Sequence, residues 1–199
     1  PDVMQKVTVQ GLANIVWAFA NLGCCHRPML EALAQHAASP GLMEQFSAQA
    51  ISMTAWAYAT LNVKDCDLLQ ALAQRAMEPK VLESFTLLGV ANFASAMVHF
   101  GSQTPELMDA LAARALEPGV LPRATPSPVL ICKIATAYRL AGHRHDALLQ
   151  ALVHQAEGQA SSFTKPEAQD LELALESLGM SEMGRGWNAV WQMPWSVGS

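Results

Sequence analysis

The chain has few charges, and acids outnumber bases. Charged residues make up 15% of its 199 residues, with 12 Lys and Arg against 17 Asp and Glu and a formal net charge of −5 at pH 7. This balance argues against a strong grip on nucleic-acid phosphates, because such a grip normally rests on clustered Lys and Arg. A hydrophobic fraction of 51% is enough to bury a core, so we expect a folded, extended domain.

Long apolar runs are also absent. Gln, Asn, Arg or Glu interrupts every stretch before it reaches the roughly 18 residues needed to span a bilayer, so we predict no membrane-spanning segment. The opening at Pro1 has neither the positive nor the apolar region of a signal peptide, and we therefore expect a processed or cropped piece of a longer chain.

Cysteines are few and form no metal-binding pattern. The four of them include no CxxC pair and no spacing typical of zinc ligands, so we predict that they are small core residues. They are Cys24, Cys25, Cys66 and Cys132. The clusters at residues 24–26 and 143–145 contain histidine but offer too few ligands on their own. We therefore predict no metal and no cofactor.

What the chain does have is a repeated pattern. Copies of LANIVWAFANL, with substitutions, begin at residues 12, 51, 90 and 131. Copies of a second pattern, LEALAQHA, begin at residues 30, 69, 108 and 149. A period of 39 to 41 residues is typical of stacked helical hairpins.

Prolines and N-cap residue types mark the boundaries between copies. A proline follows each of the first three second helices, where it cannot continue the helix, so we expect loops there. Ser or Thr precedes each of the first three first helices, where its side chain can accept a free amide of the first turn. The prolines are Pro40, Pro79 and Pro118, and the N-cap types are Thr8, Ser47 and Thr86.

These signals together predict an all-α fold, a right-handed α-solenoid of stacked helical hairpins with repeats of about 39 residues. Four repeats fill residues 1–161, at about 8–46, 47–85, 86–126 and 127–161. A capping helix follows at residues 162–181, because a terminal repeat needs a polar outer face, and a Trp-rich tail occupies residues 182–199.

The first helix of each repeat is apolar almost all round. On a helical wheel of the first copy, apolar side chains fill one broad arc, which indicates a helix sandwiched between neighbours. This arc contains Leu12, Ile15, Val16, Phe19 and Leu22. The second helix is one-sided, so we expect an outer, wetter layer with Glu31, Gln35 and His36 in water.

A narrow polar strip remains on the first helices, at spacings of four, three and four residues. Stacking aligns equivalent strip positions in parallel rows, and we predict that this strip binds RNA or another partner. Amides and hydroxyls can hydrogen-bond to base edges, and an indole can stack on a base. The strip consists of Gln10, Asn14, Trp17, Asn21, Gln49, Trp56, Thr60, Asn92, Ser95, His99, Lys133 and Thr136.

Two interpretations of this strip stay open. Trp17 and Trp56 are either stacking platforms or packing between helices, and packing is favoured because an indole on an Ala-rich helix usually buries its area against the next repeat. The asparagine amides either read bases or bond to a neighbouring backbone. In the later repeats the strip turns apolar at Leu88, Val129 and Leu140, which favours a protein surface there.

The end of the chain is polarised. A basic stretch without acids surrounds Lys133, and an acidic stretch follows it, which is either a docking polarity or an ordinary solvated face. The predicted basic cluster is Arg123, Arg139 and Arg144. The tail tryptophans Trp187, Trp191 and Trp195 are spaced by four, and they either anchor a partner or fold back over the last hairpin.

Catalytic motifs are missing as well. The sequence has no glycine-rich phosphate loop, no HExxH, no GxSxG and no paired carboxylates in a setting for acid/base chemistry. Its six histidines fall at unrelated positions in the repeat. We predict that the chain is not an enzyme.

The first helix resembles the octotricopeptide repeat family, whose units of about 38 to 40 residues carry the form Leu-Ala-Asn-x-x-Trp-Ala-Phe-Ala-x-Leu-Gly. The first repeat matches this form almost letter for letter over residues 12–23, and the second keeps its Trp as Trp56. The third and fourth repeats replace this Trp by Ser and Thr. The resemblance covers residues 1 to about 160.

This resemblance implies an α-solenoid of plastids or mitochondria that binds RNA and supports its stability, processing or translation without catalysis. Its partners would be single-stranded RNA or a ribonucleoprotein, with other protein subunits on the later repeats and the tail. The alternative is a scaffold subunit of a large organellar assembly, such as a ribosome or a photosynthetic or respiratory complex, without RNA contact of its own. We expect the RNA-associated role.

Overall fold

The computed structural model describes residues 6–121 and 125–180. Within these ranges the chain consists of helices joined by turns and contains no β-strand. It forms two compact units, Pro1–Ala115 and Leu116–Ser199, which are called unit 1 and unit 2 below. The predicted all-α fold of stacked helical hairpins is confirmed.

Helices of unit 1 recur at a fixed interval. They are α1 (Val9–Asn21), α2 (Arg27–Ala37), α3 (Pro40–Met43), α4 (Ala48–Thr60), α5 (Cys66–Ala76), α6 (Pro79–Leu82), α7 (Leu87–His99) and α8 (Pro105–Leu116), which ends at the border of the unit. The first helices α1, α4 and α7 begin 39 residues apart, and so do the second helices α2, α5 and α8. Residues that are 39 positions apart therefore occupy equivalent places in successive repeats of unit 1.

Local sequence sets both ends of each first helix. At the start, a Ser or Thr hydroxyl accepts a hydrogen bond from the amide three residues later, which satisfies one of the free N–H groups of the first turn. The caps are Thr8 at 3.2 Å, Ser47 at 3.2 Å and Thr86 at 3.1 Å. At the end, a residue with positive φ reverses the chain, a position that favours glycine because it has no Cβ. These residues are Gly23, Asn62 and Gly101.

Equivalent apolar positions form the core of unit 1. Helix α4 packs against both α1 and α7, while α2 packs against α5, so first and second helices form two layers. The position held by Leu12 in α1 is held by Ile51 in α4 and Val90 in α7, and all three side chains are fully buried. Burying one such side chain contributes roughly 1.5–3 kcal/mol. The repeated apolar positions therefore hold the repeats together.

The boundary prolines do not lie in loops as predicted in the first two repeats. Pro40 begins α3 and Pro79 begins α6, each a helix of four residues. Proline is favoured at the first helical position because its missing N–H would have no partner there. In the third repeat Pro118 lies in a turn, which Val120 closes with a hydrogen bond to the Glu117 carbonyl at 2.9 Å.

The described residues of unit 2 form one further hairpin and one helix after it. These helices are α9 (Pro128–Ala141), α10 (Asp146–Glu157) and α11 (Lys165–Ser177), and α11 is preceded by a 3-10 turn (Ala160–Ser162). Helix α9 packs against α10 and α11. The chain leaves α9 through Gly142 at φ 62° and α11 through Gly179 at φ 74°, the turn that also ends the first helices of unit 1. Helix α11 is thus a fifth helix of the first type.

Two predictions about burial were wrong. Cys132 is buried, but Cys24, Cys25 and Cys66 are exposed, because they lie in the turn after α1 and at the first position of α5. Leu22 is 75% exposed because it lies beyond the last turn of α1, outside the packed arc.

Burial and nearby acidic charges raise the pKa of the Cys132 thiol to about 12, so this cysteine stays protonated.

Candidate binding surfaces

The polar strip of unit 1 lies at the surface of its first helices. In α1 all four predicted residues are exposed, including Trp17 with 46% of its surface accessible. In α4, Gln49 and Thr60 are exposed and Trp56 is half-buried. In α7, His99 is exposed, whereas the other two predicted residues are half-buried. The strip is therefore available to a partner along α1 and α4.

Two adjoining grooves run along this strip. The larger one has a volume of about 770 Å³, and the smaller has about 350 Å³. They share Gln49 and Met53, so they follow one another across α1 and α4. The predicted strip residues that line them are Gln10, Asn14, Trp17, Asn21, Gln49, Trp56 and Asn92. The structure thus brings seven of the predicted strip residues together, whereas Thr60, Ser95 and His99 line neither groove.

The larger groove also contains residues outside the predicted set of strip residues. Ser52, Met53, Thr86 and Leu88 contribute to its walls. Met53 and Leu88 stand at the strip positions that Asn14 and Gln10 hold in the first repeat, and Thr86 is the predicted N-cap of α7. Ser52, beside Met53, is the one of the four that the sequence pattern did not mark. The larger groove therefore has a mixed lining of indoles, amides, hydroxyls and aliphatic groups.

The grooves carry no formal charge. Helices α1, α4 and α7 contain no Lys, Arg, Asp or Glu among their 39 residues, which are 13 in each helix. No charged side chain lines either groove. An uncharged surface gives little Coulomb attraction for phosphate, so a ligand must be held by stacking, apolar contact and neutral hydrogen bonds.

Hydrogen bonds within the helices fix several polar groups of the larger groove. The Asn21 side chain donates through Nδ2 to the Trp17 carbonyl at 2.8 Å, and the Ser52 hydroxyl donates to the Gln49 carbonyl at 3.0 Å. The Asn21 amide is therefore held beside Trp17 with its oxygen as the remaining acceptor. Among the residues that the structure describes, neither indole N–H donates a hydrogen bond, so both donors are available to a ligand.

His99 takes part in a contact between repeats. Its Nε2 lies 3.1 Å from the Asn62 side-chain oxygen, in the turn after α4. Asn62 is the only residue other than glycine with positive φ in the described part of the chain. The bond joins the end of α7 to the preceding turn, which gives His99 a structural contact at the edge of the strip.

A repeated clamp occupies the polar side of the second helices, and the sequence analysis missed it. A ring or guanidinium nitrogen on the second helix contacts the carbonyl of the residue just before the N-cap of the same repeat. The pairs are His36 Nε2 with Val7 at 3.2 Å, Arg75 Nε with Phe46 at 3.1 Å and Arg114 Nε with Phe85 at 2.9 Å. His36 was expected in water but is half-buried by this contact. Basic or imidazole residues recurring 39 residues apart were the available signal.

Histidines also cap two second helices. The amide of Met29 donates to His26 Nδ1, and that of Leu148 donates to His145 Nδ1, both at 3.2 Å. Asp65 and Thr104 hold the same cap position in the repeats between them. The prediction that the histidines occupy unrelated positions is therefore wrong for this pair, because the N-cap register relates them.

A third groove, of about 380 Å³, lies in the second layer of unit 1 between α5 and the start of α8. Its lining includes Leu69, Met77 and Glu106. Its one basic side chain, Lys64, donates through Nζ to the Phe100 carbonyl at 2.8 Å. That cation closes the end of α7, as cations near helix C-termini do.

In unit 2 the predicted strip residues Lys133 and Thr136 are half-buried, and the exposed residues beside them are aliphatic. Val129 and Leu140 on α9 are 62% and 60% exposed, and Leu173 on α11 is 48% exposed. Counting back from the shared glycine turn, Leu173 occupies the position that Trp17 holds in α1, which the sequence analysis did not notice. Lys133 is half-buried, and burial lowers its pKa.

The basic cluster is only partly available. Arg123 lies outside the described residues, and Arg139 is half-buried. Arg144 is exposed but bonds to Asp146 through Nε at 2.5 Å and to the Gly179 carbonyl through Nη1 at 3.4 Å. The hydrogen bond to Asp146 raises the pKa of Arg144. Arg144 therefore contacts the turn after α11. Phosphate binding by this cluster stays a prediction.

The predicted partner anchor Trp187, Trp191 and Trp195 lies outside the described residues. Across residues 6–121 and 125–180, no helix has the length and apolar character needed to cross a bilayer. The same ranges contain no group of three His, Cys, Asp or Glu side chains placed to hold a metal ion.

The fold and the grooves define a class: a helical-repeat protein whose first helices in unit 1 form an uncharged groove lined by two indoles. The chain belongs to the RNA-editing substrate-binding complex 6 protein (RESC6) family, which it matches over residues 2–182. A search of curated proteins gives no match. The broad part of the sequence-based assignment, an RNA-associated helical protein, agrees with this family, but the matching family is not the octotricopeptide repeat family.

Proposed function

We propose that this protein is a non-catalytic, RNA-binding subunit of an organellar ribonucleoprotein. In this proposal the grooves of unit 1 hold single-stranded RNA and thereby support RNA stability, processing or translation. The observation that carries it is the larger groove, where Trp17 and Trp56 lie on adjacent helices with neutral amides around them. Aromatic faces stack on unpaired bases, and amides bond to base edges.

Family membership supports the same role. The family name describes a component of a complex that binds RNA-editing substrates, and an editing substrate is an RNA. The octotricopeptide-like form of the first helices supports an organellar setting, in mitochondria or plastids, as part of this proposal. The RNA need not be long, since the grooves extend over only α1, α4 and α7.

Direct binding tests the proposal. The full chain is titrated with labelled single-stranded RNA, and fluorescence anisotropy measures the dissociation constant. A variant with Asn14, Trp17, Asn92 and Lys133 changed to Ala should bind at least about fivefold more weakly, because one lost base–indole stack accounts for 1–3 kcal/mol. Met77→Ala, in the second layer of unit 1, is the control and should bind like the unchanged protein. Absence of binding to any single strand would overturn the proposal.

A second candidate function is a protein-binding scaffold without RNA contact. The exposed Val129, Leu140 and Leu173 of unit 2 favour it, because large apolar side chains on a surface mark interaction sites. The Trp-rich tail belongs to this candidate as well. Deleting residues 183–199 and recovering the native complex tests it: the scaffold function predicts loss of protein partners, and full retention would move the interface elsewhere.

A further inference from the structure

The absence of charge in the grooves of unit 1 has a consequence for the chemistry of their ligand. Resting on the proposed function, we propose that these grooves bind unpaired nucleobases without gripping phosphate. The larger groove then recognises a strand through its bases, whatever the charge of its backbone. No Lys or Arg lines either groove, and three basic residues of unit 1 form hydrogen bonds outside them: Arg75 and Arg114 bond to backbone carbonyls of their own repeats, and Lys64 bonds to the carbonyl at the end of α7.

The two indoles form the stacking part of the site. Trp17 and Trp56 occupy the same repeat position, 39 residues apart, and line one groove between adjacent helices. Trp17 is 46% exposed and Trp56 is half-buried, so each indole retains accessible surface. Stacking on an aromatic face needs no charge and tolerates any base, because every base has a π-face.

The polar part of the site is neutral and partly fixed. Asn21 is held beside Trp17 by its bond to the Trp17 carbonyl, which leaves its side-chain oxygen as an acceptor for a base amino or imino group. Gln49 is exposed on the facing helix and supplies both a donor and an acceptor. Paired bases have these edges occupied and their faces stacked, so the site accepts single strands and rejects duplexes.

Peptide nucleic acid provides the decisive probe because its backbone carries no charge. The full chain is titrated with an RNA oligomer and a peptide nucleic acid oligomer of the same base sequence, with double-stranded RNA as the negative probe. The two single strands should bind within about tenfold of each other. RNA affinity should fall by less than about threefold between 50 and 200 mM salt, the change expected for at most about one neutralised phosphate on a single strand.

Two variants locate the binding. Trp17→Ala removes an exposed indole, and Trp56→Leu removes the other indole while keeping an apolar side chain in the half-buried position. Each should weaken RNA and peptide nucleic acid alike by about 5- to 150-fold, the range of one lost base stack. Leu22→Ala is the matched control, since Leu22 is an exposed apolar residue at the end of the same helix but lies outside the groove.

The outcomes separate this inference from the proposed function. Binding of RNA without binding of peptide nucleic acid would overturn the inference and leave the proposed function standing, with phosphate contacts elsewhere. Binding of neither single strand would overturn both. If Trp17→Ala then released a protein subunit from the native complex, the groove would be a protein site. Equal loss of both strands in the two indole variants, with no loss in Leu22→Ala, supports the inference.

Discussion

The first-type helices of unit 1 and unit 2 share one backbone plan but differ in chemistry. In unit 1, α1, α4 and α7 carry no Lys, Arg, Asp or Glu, and two of them present an indole. In unit 2, α9 carries Lys133 and Arg139, α11 is acidic, and Leu173 stands at the indole position. The same scaffold therefore offers a neutral, aromatic surface in one unit and an aliphatic surface with charged neighbours in the other.

The parts that stay constant explain why the strip can vary. The fully buried Leu12 position is Ile131 in unit 2, also fully buried, and a turn with positive φ, at glycine or at Asn62, ends the first-type helices in both units. Core positions tolerate only apolar residues of similar volume, because cavities and overpacking both destabilise. Strip positions contact solvent and face no such limit. The core thus sets the fold, and in the function proposed above the strip sets what each unit binds.

Replacing aliphatic strip residues of unit 2 with acids should have the largest effect. Changing both Val129 and Leu140 to Asp removes two exposed apolar side chains of α9 and adds charge. If this surface docks a protein, recovery of partners with the chain should fall about tenfold or more, because interface anchors contribute about 2 kcal/mol each. Quantitative mass spectrometry of the purified native complex measures it. RNA binding should stay unchanged.

The variant Trp17→Ala, which removes an indole from the groove of unit 1, is the complementary test. It should lower RNA affinity and leave partner recovery intact. Loss of RNA binding in the Val129 and Leu140 variant, or loss of protein partners in the Trp17 variant, would contradict the division of roles between the two units.

The sequence predicted the fold well because its signals were local and periodic. The 39-residue interval, the Ser and Thr caps and the apolar arc each act within one helix or between neighbouring repeats. The strip was also predictable, since a period fixes which residues align. Seven of its members indeed share the grooves.

What the sequence could not predict depends on distances between elements. The clamp from Arg75 to Phe46 joins residues 29 apart, and it requires the carbonyl before the N-cap to turn toward the second helix. Cys24 is exposed because it follows the turn at Gly23, between α1 and α2. The volume of the grooves also depends on how closely α1, α4 and α7 approach, which periodicity does not give.

Removing the clamp should destabilise unit 1 more than unit 2. Arg75→Ala deletes a charged donor to the carbonyl before the cap of α4, and hydrogen bonds of charged groups contribute about 1.5–3 kcal/mol. The equivalent donor in unit 2 is the neutral Gln159 side chain, which bonds to the Pro126 carbonyl at 2.8 Å. Gln159→Ala should cost only about 0.5–1.5 kcal/mol. Urea unfolding followed by circular dichroism measures both free energies.

Matched controls separate the clamp from its surroundings. Arg75 also pairs with Glu78, so Glu78→Ala removes the ion pair alone and should change the free energy of unfolding by less than about 1 kcal/mol, because the pair is solvent-exposed. In unit 2 the control is Gln155→Ala. It removes the Gln155 side chain but keeps the Gln155 backbone carbonyl, which accepts a hydrogen bond from the Gln159 side chain. Equal losses of unfolding free energy in Arg75→Ala and Gln159→Ala would contradict the prediction that the charged donor of unit 1 contributes more than the neutral donor of unit 2.

The smallest expected effect is a pH dependence that, among the first-type helices, is expected in α11 of unit 2 and not in those of unit 1. The first helices of unit 1 begin at hydroxyl caps, which do not titrate in the accessible range, whereas α11 begins at Thr164 with Glu167 reaching back to it. The Glu167 carboxylate accepts from the Thr164 amide and hydroxyl, both at 2.7 Å, and these bonds lower its pKa. A lowered pKa stabilises the folded helix above the unfolded value of about 4.3, and that contribution is lost as pH falls through the folded value.

Amide hydrogen exchange can resolve this effect helix by helix. Between pH 6 and pH 3, protection factors in the first turn of α11 should fall by less than about fivefold, since the carboxylate is close to solvent and one capping interaction is modest. Protection in the first turn of α4, capped by the Ser47 hydroxyl, should not change. Glu167→Gln should abolish the pH dependence in α11 because an amide does not titrate there. A similar fall in α4 would mean that acid acts on the whole chain and would contradict a specific role for Glu167.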